Sequence, residues 1–137
     1  MDLPVFKHIM RSRDPIVVGR QNPKEDLKAV LESGLERLNN NISIVVFPQT
    51  TRSTNIDPKS FNSIGVKLAK RAGVPVIPMA LKTDAWGVGS ILRDFGKIHP
   101  SKDIYFCFGD PITITGNGRE THQAVVAFIT EKLKTWF

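Results

Sequence analysis

Ile42-Ser43-Ile44-Val45-Val46-Phe47 runs directly into Pro48-Gln49-Thr50-Thr51-Arg52-Ser53. The first run is apolar except for Ser43, the pattern of a strand covered on both faces. The second holds no apolar side chain after Pro48 and reads as a loop leaving the end of that buried strand. Upstream, Ile16-Val17-Val18 is a shorter β-branched run closed by Gly19-Arg20-Gln21-Asn22-Pro23, so a second buried strand ends at Arg20. Between the two strands the spacing predicts a helix. Asn22 caps it, Pro23 takes the first helical position and Glu25 the third. Leu27, Val30, Leu31, Gly34, Leu35 and Leu38 form its apolar stripe, and Asn39-Asn40-Asn41 ends it.

Downstream the alternation continues. Phe61, Ile64, Gly65, Leu68, Ala69 and Ala72 mark a second helix closed by Gly73, and Val74 to Leu81 reads as a third strand. Pro75 and Pro78 inside that run argue for an edge position, a bulge or a very short ladder. Residues 83–103 are irregular, with Trp86-Gly87-Val88-Gly89 as a turn and Ile91, Leu92 and Phe95 as packing anchors. A fourth strand, Ile104 to Phe108, precedes Gly109-Asp110-Pro111, and Val125, Phe128, Ile129, Leu133 and Trp136 mark a C-terminal amphipathic helix. Strands alternating with helices imply a layered α/β fold with a mostly parallel central sheet flanked by helices. Ligands of such sheets collect at the carboxyl ends of strands, where this reading places two arginines, Arg20 and Arg52. A guanidinium among the hydroxyls of Thr50, Thr51 and Ser53 is suited to holding a phosphate dianion; the same hydroxyls would also serve a plain polar turn.

The chain has 137 residues, 41% of them hydrophobic and 23% charged, which suits a single domain over 1–137 and argues against disorder. No apolar run approaches the roughly 20 residues of a membrane-spanning helix, and Met1 to Phe6 lacks the features of a signal peptide. Nineteen Lys and Arg against thirteen Asp and Glu give a formal charge of +6, which favours anionic partners. Cys107 is the single cysteine, so an internal disulfide and a cysteine-based zinc site are both excluded. Nucleic acid would suit the charge, but the aromatics fall mainly at stripe positions rather than among Lys and Arg, and none is expected as a partner. Gly116-Asn117-Gly118 resembles the start of a dinucleotide fingerprint but has Thr121 where the third glycine belongs.

Phe47-Pro48-Gln49-Thr50-Thr51-Arg52-Ser53 resembles the Phe-Pro-Glu-Gly-Thr-Arg-Ser block of the glycerolipid acyltransferases, the group containing 1-acylglycerol-3-phosphate acyltransferase. Ile16 to Arg20 is similar to the block that precedes it, Val74-Pro75-Val76-Ile77-Pro78 to the fourth block, and Phe108-Gly109-Asp110-Pro111-Ile112 to a later strand exit. Order and spacing agree across nearly the whole chain. The resemblance implies acyl transfer from acyl-CoA or acyl-carrier protein to the hydroxyl of a lysophospholipid or glycerol-phosphate acceptor, with no bound cofactor. By the same resemblance Arg20 and Arg52 grip the acceptor phosphate, Thr51 and Ser53 shape their loop, Pro48, Gln49 and Thr50 complete the acceptor-site loop, and Pro75 and Pro78 support the site wall. It also implies attachment to the cytoplasmic face of a membrane, where positive charge helps at an anionic surface.

The departures concern chemistry. Gln49 stands where the family has glutamate, and Thr50 where it has glycine, which removes a carboxylate and restricts the backbone. The family's catalytic His, followed five positions later by Asp, has no match. His8 has Arg13 at that spacing, and neither His99 nor His122 has an acid there. The chain therefore reads as an acyltransferase-like domain missing its N-terminal part, with no catalytic residue of its own and inactive by itself. Alternative readings are a non-catalytic phosphate or lipid-headgroup binding module and a basic nucleic-acid-binding domain. Trp86, next to glycines in a long loop, reads as a loop anchor ahead of an acyl-channel or interfacial residue.

Overall fold

Asn22 and Pro23 start the first of the described helices, α1 (Pro23–Asn39), in the computed structural model, which describes residues 15–16, 22–49, 57–85, 87 and 96–136. The Asn22 side chain accepts the Lys24 amide at 3.1 Å, and Glu25 and Asp26 sit in the first turn where the helix dipole favours them. The expected stripe is the shielded one: Gly34 is buried and the leucines and Val30 are half-buried, while Lys24, Glu25, Lys28, Glu32 and Glu36 are exposed. Asn41 adopts φ 59° beyond the end. Its N–H donates to Leu38 and the Ile42 N–H to Arg37, the paired bonds of a left-handed helix stop, which asparagine tolerates. Ile42 to Phe47 departs from expectation. It joins no ladder, and Ile42, Val45 and Phe47 are 52%, 66% and 65% exposed. A strand is completed by a neighbour, and of the expected neighbour only Ile16 is described; Val17, Val18 and Arg20 lie outside the described residues.

The chain divides into two units, Met1–Val46 and Phe47–Phe137. Among the described residues the regular structure of the second begins with a single 3₁₀ turn, Pro58–Ser60, capped by the Asp57 carboxylate on the Lys59 amide at 2.9 Å. Helix α2 (Ile64–Ala72) follows and buries Val66, Leu68 and Ala69; Gly73, at φ 68°, closes it. Strands β1 (Met79–Lys82) and β2 (Tyr105–Phe108) and helix α3 (Arg119–Thr135) complete the unit.

The class is mixed α/β, but the mostly parallel central sheet is corrected. Among the described residues the sheet has two strands and is antiparallel, with Met79 opposite Phe108 and Lys82 opposite Tyr105. Parallel neighbours need a crossover, usually a helix, and the described part of the β1–β2 connection has none. Instead its two arms bond to each other, Gly87 N–H to Lys97 at 2.9 Å and His99 N–H to Ala85 at 2.7 Å, so the chain returns as a long hairpin. Trp86, Ile91, Leu92 and Phe95 lie outside the described residues. The prolines shorten the ladder as expected. Pairing resumes beyond Pro78 as one bridge, Val76 with Ile112, at 2.8 and 3.0 Å.

One face of the hairpin carries α3. Ala80 is fully buried there, Lys82 Nζ donates to the Trp136 carbonyl at 2.8 Å, and the Tyr105 and Trp136 rings stack at 5.5 Å. The Lys82 ammonium also approaches Asp84 at 3.9 Å, and Lys102 donates to the other oxygen of that carboxylate at 3.0 Å. The core of α3 is Ile129 and Leu133, against which Phe61 packs. Met79, Leu81, Phe106 and Phe108 share the opposite face, with Phe106 and Phe108 more than half exposed and in edge contact at 5.0 Å. Among the described residues no helix is long and apolar enough to cross a membrane.

Gly109 donates its N–H to Pro78, and a Cβ on it would fall 2.8 Å from Pro78 Cγ and 2.9 Å from Phe128 Cε2. Gly109→Ala is expected to lower stability by about 1–3 kcal/mol in urea unfolding, because both neighbours are ring carbons held by helix and sheet. The Lys102 hydrogen bond, with the Lys102 and Lys82 charges, holds the Asp84 carboxyl below its ordinary value. Its contribution is complete above the ordinary aspartate range and is lost as pH falls through the lowered value. Asp84→Asn should therefore flatten the acid limb of the unfolding midpoint against pH and leave the neutral-to-alkaline limb parallel to wild type.

Candidate functional site

The loop that begins at Pro48 is gathered at its base by one side chain. Asn62 donates to the Pro48 carbonyl twice, from its backbone N–H at 2.9 Å and from Nδ2 at 2.7 Å. Its Oδ1 accepts the Ile64 amide at 3.2 Å, so the residue that pins the loop also opens α2. Phe61, 7% exposed against Ile129 and Leu133, fixes the same end of the loop to α3. Within the far arm, Ser60 Oγ donates to the Asp57 carbonyl at 2.7 Å. Pro48 and Gln49 are half-buried at the start of the loop. Thr50, Thr51, Arg52 and Ser53 lie outside the described residues, as does Arg20.

The two prolines expected to support the site wall, Pro75 and Pro78, occupy different settings. Pro78 is buried, its carbonyl taken by Gly109, whereas Pro75 is exposed and lines a cleft of about 210 Å³ with Lys70, Gly73 and Thr113. A larger groove, about 450 Å³, runs between the Pro58–Ser60 turn and α3. Lys59 forms one side; His122, Gln123, Val126, Ala127, Thr130, Glu131 and Lys134 form the other. His122 and His99 are half-buried, and among the described residues neither is paired with a carboxylate; His8 lies outside them.

Asn62 and the groove were not visible in the sequence. An asparagine two residues before a helix signals a cap, but nothing in the spacing says that its amide reaches back to Pro48. The groove is assembled from a turn and a helix far apart in the chain.

The family described as Acyltransferase matches residues 1–82, a span that includes Arg20, Arg52, Asn62, Pro75 and Pro78. A 1-acyl-sn-glycerol-3-phosphate acyltransferase from Pseudomonas aeruginosa is 33% identical over 78 residues, which is 57% of this chain and 30% of that protein. The chain thus aligns with less than a third of the length of that curated relative. No solved structure matches it. With more than half of its residues matched, from the N-terminus through β1, the chain belongs to the acyltransferase family.

Proposed function

We propose that this chain supplies the acceptor-binding part of an enzyme that moves an acyl group from acyl-CoA or acyl-carrier protein to the free hydroxyl of a lysophospholipid or glycerol phosphate. The family match over residues 1–82 carries the reading. Arg20 and Arg52 hold the acceptor phosphate, each guanidinium offering parallel donors to two of its oxygens. Thr51 and Ser53 add hydroxyl donors and set the loop's course. Asn62 holds the loop base, so that less conformational freedom is lost when the phosphate arrives. In the transfer the acceptor oxygen attacks the thioester carbonyl, the carbon–sulfur bond breaks, and the base that took the hydroxyl proton passes it to the departing thiolate. The 137 residues contain no histidine followed five positions later by aspartate, and Gln49 contributes no carboxylate. The base in this proposal comes from residues outside them. The site works at the cytoplasmic face of a membrane, toward which a charge of +6 draws the chain.

The Gln49 and Thr50 substitutions favour a second reading, a phosphate or headgroup binder with no transfer step. The two readings part at turnover by the full-length gene product: acyl transfer to a lysophospholipid supports the first, and binding without transfer the second.

Arg52→Ala is expected to weaken lysophosphatidate binding, read by titration calorimetry, by roughly tenfold or more, with Arg52→Lys recovering only part of the loss. Asn62→Ala should cost less affinity and lower stability by about 1–2 kcal/mol, since it removes the Nδ2 donor and the helix-opening acceptor together. Equal binding by wild type and Arg52→Ala rejects the phosphate grip. The 137-residue chain by itself is expected to give no product in an acyl-CoA assay, and clear turnover would overturn the assignment of the base to other residues.

A further inference from the structure

We draw no further inference here: the strongest candidate, the apolar face of the β1–β2 hairpin turned away from α3, where Met79, Leu81, Phe106 and Phe108 lie side by side, carries none because nothing in the structure shows what covers it.

Discussion

The second unit depends on α3 lying against one face of the β1–β2 hairpin. A two-stranded sheet is marginal by itself in water, and its apolar side chains need a cover to make the ladder worth forming. Helix α3 provides that cover because the contact face is small and flat where it must be: Ala80 is fully buried and Gly109 leaves room for the Phe128 ring. At the far end Lys82 bonds the Trp136 carbonyl, a cation at the negative end of the helix dipole, and Tyr105 stacks on Trp136. Phe61, packed on Ile129 and Leu133, extends the same contact to the base of the Pro48 loop.

This puts the start of the Pro48 segment and the groove on one mechanical footing. The carbonyl of Pro48 is held by Asn62, whose neighbour Phe61 is seated on α3, and the groove beside the Pro58–Ser60 turn has α3 as its longer side. A change that loosens α3 therefore reaches the base of the Pro48 segment and the groove together.

Local features were read correctly where short-range chemistry decides them. Asn22 with Pro23 starts α1, Gly73 stops α2, and the stripe of Ile129 and Leu133 faces inward, because capping, left-handed stops and helical periodicity each involve residues within a turn or two. The direction of strand pairing was not legible. The apolar runs at 42–47 and 74–81 look alike in composition, yet only the second has a described partner, and hydrophobicity does not choose between a parallel neighbour and a hairpin return.

What the sequence by itself determined is the helices with their ends, the interruption at Pro75 and Pro78, the positive charge, and the family blocks in which Arg20 and Arg52 stand. Those are properties of neighbouring residues and of order along the chain. Tertiary structure alone decided that β1 pairs antiparallel with β2, that Asn62 closes the loop onto Pro48, and that Lys59 faces α3 across a groove. Each of these joins residues well separated in the chain, and such contacts are selected by packing over the whole unit rather than by any pattern local to one segment.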